Sequence, residues 1–600
     1  MKQKLPTRWN LSDLGSKIND PKFLKERELH ERAIKKFAKK WKKDQSYLTD
    51  MDSLKKALDQ SEAMGDLPDT EGMYLFLMRQ VDTGNSKLAA AEKKYTEWAQ
   101  NLSNEIRFFG ISLGKIDTKL QKKILKDERF SAYKNHLKGI FETAKFDLSE
   151  KEEKILSLKS GVSAGNWASM MEEKFAHETR DVLTMGKGGA RPKKTVSFTE
   201  LFGLMQATCS RVRKSAALAV QDVLEKNAFF VEKEFNSILE NKKINDELRG
   251  FERPDQARIL SDDISFEIVD TLSEVVESHF KFSRDFYSLK AKLMKKDKLD
   301  YYERSAPFGK SKKEYSYTEA FDLVEKSMEK IDPEFAEIHR DMCENGRVDV
   351  MPKSGKRGGA FCMYHGKNEP VYIMLNHTGK TRDVSTLAHE MGHAIHGTLA
   401  KRENNTNYGT PMFMAEIAST FCEEYVFDEI VDQASDKEKL NLYMQKMSDS
   451  IATIHRQIAG YLFERDVHKA FREKGYLSNN EIGDIFEKNM KSYMGPKVLQ
   501  NYGAKNWWMY WSHFRSPFYV YSYSSGLLIA NGMRAILREK PEQWEKVKEF
   551  FYTGESLSPE QVFNKMGIDI TDPFFWEAGL SELTQLMKET KKLAKKLGKI

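Results

Sequence analysis

A mainly α-helical fold follows from three features of this 600-residue chain. Charged residues make up 31% and hydrophobic residues 40%, with only 15 prolines, a balance that suits amphipathic helices around a core rather than disorder. Apolar residues recur at helical spacing over most of the length, and lysine pairs such as Lys35-Lys36, Lys39-Lys40 and Lys42-Lys43 fall between them as a solvated face. Runs with strand character are short and few.

In chain order, residues 1 to about 180 read as successive amphipathic helices with polar joints, for example Gly65-Asp66-Leu67-Pro68. Gly186 to Pro192 is the clearest loop, joining short strands at Asp181–Met185 and Thr195–Phe198. It lacks the Gly-Lys-Ser/Thr end that a phosphate-cradling loop needs. Helices resume at Thr199, which divides a helical N-terminal region, 1–198, from the remainder, 199–600. The main interruption is a hairpin: Ala360–Tyr364 and Val371–Leu375 are β-prone, and His365 to Pro370 between them is turn-like. Such an edge can pair with an extended peptide through main-chain hydrogen bonds, and Gly358, Gly359 and Ala360 leave room for close approach. The tail from Leu583 to Ile600 sets Leu583, Leu586, Leu593 and Leu597 on one rough stripe, expected as a docked C-terminal helix. No internal repeat is present.

The chemistry concentrates at His389-Glu390-Met391-Gly392-His393, inside the apolar segment Val384–Leu399. On a helix, positions i and i+4 stack on one face, so two imidazoles can reach a single cation. Glu390 then stands where a general base for a metal-activated water is needed. With 13 His and 90 acidic residues, chance supplies roughly 0.04 such matches per chain. Asp383 is placed at the N-cap of this helix and Gly397 at a weak point near its end. Gly392 leaves space for a neighbouring backbone or a ligand. His396, three beyond His393, would extend the donor set, but the pattern with a third His asks for Gly at 396 and His at 399. The chain has His396 and Leu399, so His396 is read as a packed residue.

A catalytic zinc needs a third ligand and an open position for water. Glu416 is the best candidate, among the apolar neighbours Met412, Phe413, Ala415, Ile417 and Ala418, where an unpaired carboxylate is costly. Thr410 and Pro411 read as N-cap and first residue of a new helix, with Glu416 in its second turn. Glu423, two turns on, is read as orienting a ligand histidine through a hydrogen bond, and Glu424 as facing solvent.

The segment Thr386 to Ala394, followed by Glu416-Ile417-Ala418-Ser419-Thr420, resembles the signature of the thimet oligopeptidase and oligoendopeptidase F family of zinc metallopeptidases. Gly355-Lys356-Arg357-Gly358-Gly359-Ala360-Phe361-Cys362, Pro370 to Asn376, and His513 to Gly526 are similar to its oligoendopeptidase F branch, as is the opening Trp9-Asn10-Leu11-Ser12-Asp13-Leu14. The resemblance implies a zincin-type, multi-helical fold with a deep enclosed substrate cleft, one zinc on His389, His393 and Glu416, and catalysis by 199–600. It implies Gly359 and Ala360 as substrate contacts, and His513, Tyr519 and Tyr523 as residues assisting the transition state. On a helix Tyr519 and Tyr523 share a face; on a strand Tyr521 joins them, and Tyr521 is read as a further substrate contact. The expected activity is a zinc-dependent endopeptidase for short unstructured peptides, with Glu390 as base. A zinc carboxypeptidase is the alternative within the class, and a silent peptide-binding scaffold the alternative outside it.

Composition excludes other classes. A net charge of +7 is too mild for a nucleic-acid surface. No run of 18 apolar residues occurs, so no membrane span is expected, and Met1 to Trp9 leads into no apolar core, so no secretory signal is expected. Cys209, Cys343, Cys362 and Cys422 are scattered and suit a reducing cytoplasm. Both a monomer and a homo-oligomer are compatible with the sequence.

Overall fold

The computed structural model describes residues 5–186, 189–309 and 313–600. Helices dominate it, and among the described residues β-structure is confined to a two-stranded and a three-stranded sheet. No helix among them is long and apolar enough to cross a membrane. The chain divides into two compact units.

The first unit takes Met1–Lys145, Lys313–Asp432 and Ile536–Ile568. Its N-terminal helices Pro21–Trp41, Met51–Gly65 and Ser86–Leu113 each start on a side chain (Asp20, Asp50, Asn85) that accepts backbone N–H groups of the first turn. They bury Phe37, Trp41, Leu54, Phe109 and Leu113 in one core, while Lys35, Lys36, Lys42 and Lys43 stay exposed as expected. The expected polar joint at Gly65–Pro68 separates Met51–Gly65 from Thr70–Val81. The hairpin is present as Phe361–Met363 antiparallel to Tyr372–Met374, with Cys362 opposite Ile373. The sequence reading lacked the third strand, Val348–Asp349, which runs parallel on the other side of Tyr372–Met374. Trp9 ties the N-terminus to this sheet: its Nε1 donates to the Ile373 carbonyl at 2.8 Å, and its ring packs on Tyr372 and Phe361. Thr381–Leu399 packs on the sheet and is in turn contacted by Tyr317–Ile331, Pro333–Glu344 and Ile417–Asp432.

The second unit takes Phe146–Lys312, Gln433–Ala535 and Asp569–Ile600. Its spine is the helix Ser210–Arg249, closed by Gly250 at φ 71°, the left-handed cap that glycine adopts without strain. Strands Thr179–Gly186 and Gly189–Ser197 pair along their whole length. Gly186 and residues 189–192, expected as loop, are therefore strand; of the expected loop, Lys187 and Gly188 lie outside the described residues. A hairpin with one face open tolerates the polar run Arg191-Pro192-Lys193-Lys194, which hides strand character from a hydrophobicity pattern. The C-terminal helix does dock. It spans Pro573–Lys596, ten residues earlier than expected, and buries Leu583, Met587, Thr590 and Ala594. Asp572 caps it and Pro573 fits its first position.

Candidate metal centre and active site

His389, Glu390 and His393 lie on the helix Thr381–Leu399. Its start corrects the expectation for Asp383: Lys380 is the N-cap, and Asp383 stands three residues in. From there its carboxylate accepts from the Thr378 N–H and hydroxyl and from the Lys380 N–H at 2.7, 2.9 and 3.0 Å. A carboxylate satisfies orphan N–H groups from the first turn as well as from the cap position, so an Asp near a helix start does not by itself locate that start.

The imidazoles of His389 and His393 stand 5.0 Å apart and nearly perpendicular. The carboxylate Oε2 of Glu416 reaches both, 3.2 Å from His389 Nε2 and 3.5 Å from His393 Nε2. One donor atom from each side chain thus falls within 4.8 Å of the other two. Donors bonded tetrahedrally to zinc at about 2.0–2.1 Å stand roughly 3.3 Å from one another, so the set fits that ion. Glu416 does not occupy the second turn of a continuous helix. Pro411, not Thr410, caps a single turn, Met412–Ala415, and Glu416 is the joint before Ile417–Asp432. The Ser419 hydroxyl explains the break: it donates to the Glu416 carbonyl at 2.9 Å and to its carboxylate at 3.2 Å, a local bond that competes with helical continuity.

Gly392 brings the two segments together. A Cβ there would lie 2.5 Å from the Ser419 Cα and 2.6 Å from the Ala418 carbonyl oxygen, so only glycine admits this approach. Glu423 Oε2 lies 3.4 Å from His389 Nδ1, leaving Nε2 to face Glu416. Burial opposes a charge on His389, but Glu416 and Glu423 overcome it and push its pKa up to about 10. Against its own burial, hydrogen bonds from His389 and His393 hold the Glu416 carboxyl well below the usual carboxylate range. The site thus favours positive charge among its donors. Burial raises Glu390, which is 7% exposed and close to the Cys362 backbone N–H of the edge strand.

His396 stands apart from the donor set, as expected. It is 1% exposed, its Nε2 meets the Thr553 carbonyl at 3.1 Å, and its ring lies against Phe550. Glu424 corrects the expectation of a solvent face, being only 5% exposed. Its helix buries Phe421, Cys422, Val426, Glu429 and Ile430 as well, so the acid lies on no free face. Gly359, at φ 81° and with no atom within 4 Å of where a Cβ would stand, leads with Ala360 into the edge strand. Asn376 fixes this approach by donating to the carbonyls of Arg357 and Gly359 at 2.9 and 2.8 Å.

In the second unit, His513, Tyr519 and Tyr523 form a cluster with ring centroids 5.2 to 5.9 Å apart. The Tyr519 hydroxyl and His513 Nδ1 share a short hydrogen bond. Burial, helped by Arg456, pushes the His513 pKa down to about 4, while burial raises the Tyr519 phenol. A neutral imidazole that accepts the phenol proton at Nδ1 is assigned its own proton on Nε2. Tyr521 corrects the expectation of a substrate contact. It is fully buried, with its hydroxyl donating to Asp262 Oδ2 at 2.6 Å, because it opens the helix Tyr521–Glu539 on the core side.

Two supports escaped the sequence reading. Phe518 has φ 70° although fully buried, a conformation that a bulky residue adopts only under constraint. Its N–H donates to Glu464 Oε1 at 2.8 Å. Arg515 forks onto Glu234 at 2.9 and 2.7 Å and anchors the His513 turn to the long helix. The one sequence signal was a carboxylate amid apolar neighbours, Glu464 after Tyr461-Leu462-Phe463.

Residues 203–582 match the model of peptidase family M3, and residues 113–177 match that of oligopeptidase F. An oligoendopeptidase F homolog of Borreliella burgdorferi is 26% identical over 595 residues, covering 98% of each chain. Oligopeptidase PepF of Bacillus subtilis is 24% identical, covering 87% of this chain and 78% of its own. The crystal structure of oligoendopeptidase-F from Enterococcus faecium has the same fold, with a TM-score of 0.70 at 20% identity over 96% of this chain and 98% of that one.

Proposed function

The chain belongs to peptidase family M3 and is a metallopeptidase, and from that premise we propose that it is a zinc-dependent endopeptidase acting on short, unstructured peptides. One observation carries this reading: His389, His393 and Glu416 converge from two segments at the spacing that a tetrahedral ion requires. These three residues would hold the zinc, which would lend Lewis acidity at the scissile carbonyl and the attacking water. Glu390 takes the proton from that water and returns it to the leaving amine. Glu423 orients His389. His513, its tautomer set by Tyr519, offers a neutral donor of the kind a developing oxyanion needs, and Tyr523 offers a second. The edge that begins at Gly359 and Ala360 takes the substrate main chain. Activity on oligopeptides is what the relatives' names describe, and the internal cut is what "endopeptidase" denotes in them. The two family matches fall on either side of residue 198, while the second compact unit runs across it. Four free cysteines suit a cytoplasmic location.

Glu390→Gln is expected to keep its zinc and to lose at least about a hundredfold in kcat, the range that general-base catalysis supplies. Metal analysis and mass-spectrometric mapping of peptides of graded length read both effects. Near-normal turnover in this variant would falsify the role of Glu390. Release of single C-terminal residues, in place of internal cuts, would mark a carboxypeptidase.

A further inference from the structure

The second unit holds a cavity of about 470 Å³, within the range of small-molecule sites, with His513 in its wall. Part of its wall is aromatic: Phe202 stacks on Tyr510 at 4.2 Å, and Phe175 meets the edge of the same tyrosine. Two guanidiniums also line it. Arg304 lies against the rings of Tyr301 and Trp507, 3.9 and 4.4 Å from their centroids. Arg456 lies 5.1 Å from the Trp511 ring.

The charges of this cavity do not balance. Glu234 lines it, but both of its oxygens are taken by the Arg515 fork. Glu172, the other acid in the wall, is exposed on the helix Ala164–His177. Neither Arg304 nor Arg456 has a carboxylate partner among the described residues. Arg456 Nε and Trp507 Nε1 are moreover buried without any hydrogen-bond acceptor. A guanidinium keeps its charge at any pH the protein meets, and Arg456, half-buried in the cavity wall with an Nε that lacks an acceptor, suits an anion there. An anionic group attached to an apolar body would suit this lining.

We propose that this cavity is a substrate subsite in which Arg456 binds the free C-terminal carboxylate of a peptide while the terminal side chain lies on the aromatic wall. The proposal rests on the peptidase reading above. A terminal residue carries acid and side chain on one carbon, which matches a cavity lined by both guanidiniums and aromatic rings. An internal Asp or Glu would bring the same carboxylate, but also one further amide group that the aromatic wall cannot satisfy.

The test compares one peptide ending in Phe as its free acid and as its amide, together with an amide-capped version carrying Asp in place of Phe. The zinc-loaded wild type is expected to cleave the free acid with kcat/KM at least about tenfold above the amide, the scale of one charge-assisted hydrogen-bond pair. The gap is expected to close in Arg456→Gln and to persist in part in Arg456→Lys. Equal cleavage of acid and amide by the wild type overturns the proposal, as does a gap that survives Arg456→Gln or a preference for the Asp amide. Hydrolysis of none of the three would instead sink the peptidase reading. The cavity is then still tested by tryptophan emission, titrating wild type with N-acetylphenylalanine and with its amide. Tighter binding of the acid, by about tenfold, supports the subsite and equal binding rejects it.

Discussion

At the scale of single residues, the candidate chemistry depends on which nitrogen of each histidine carries a proton. Glu423 faces His389 Nδ1 at 3.4 Å, and under the proposed function a carboxylate there would keep Nε2 free for a metal. Glu423→Gln retains the shape and loses the charge. It is expected to weaken zinc binding by about 10–100-fold, measured by competition with a chelator, while the fold and the peptide products stay the same. Unchanged zinc affinity would remove Glu423 from this role. Tyr519 does for His513 what Glu423 does for His389, through a hydroxyl that holds the tautomer. In Tyr519→Phe both tautomers become accessible, so kcat is expected to fall on the order of tenfold with zinc content and KM nearly constant. The double variant with His513→Ala should then lose no more than His513→Ala alone, because both changes act on one group. Additive losses would separate the two residues.

At the scale of elements, the decisive contact is the seam between Thr381–Leu399 and Ile417–Asp432. Gly392→Ala drives a methyl into the Ser419 Cα and the Ala418 carbonyl, both closer than 3.0 Å, and backbone cannot yield as a side-chain tip does. The expected cost is about 1–3 kcal/mol of stability in denaturant titrations of zinc-free protein, with weaker zinc binding because the seam sets Glu416 over the histidines. Gly139→Ala is the control. No atom lies within 4 Å of its added methyl, so the substitution is expected to be neutral or to stabilise by about 0.5–1 kcal/mol. The helix, the i, i+4 histidines and the hairpin were legible because each obeys a local period. The break at Glu416 was not, because it depends on where one serine hydroxyl points. Nor was Val348–Asp349, since two residues carry no period, or the Glu464 support of Phe518, 54 residues away.

At the scale of the whole molecule, stability against acid depends on buried neutral histidines shared between the two units. In the first unit His339 and His396 are 0% and 1% exposed, and burial pushes each down to about 4. In the second unit burial pushes His455 down to about 3 and His468 well below its usual value, at 0% and 2% exposed. An unfolded chain binds protons at these positions below about pH 6.5, whereas the native chain resists until about pH 4. Their contribution is therefore fully present above about pH 6.5 and is lost progressively as the pH falls toward 4. Each histidine in this window tilts the balance by about 1.4 kcal/mol per pH unit. Each unit carries such histidines, so the melting of zinc-free protein is expected to drop steeply between pH 7 and pH 5. Replacing His455 by Gln is expected to make the slope shallower by about one proton. A melting temperature that stays level across that range, or a slope indifferent to His455, would mean that these imidazoles take up protons in the native state as readily as in the unfolded one.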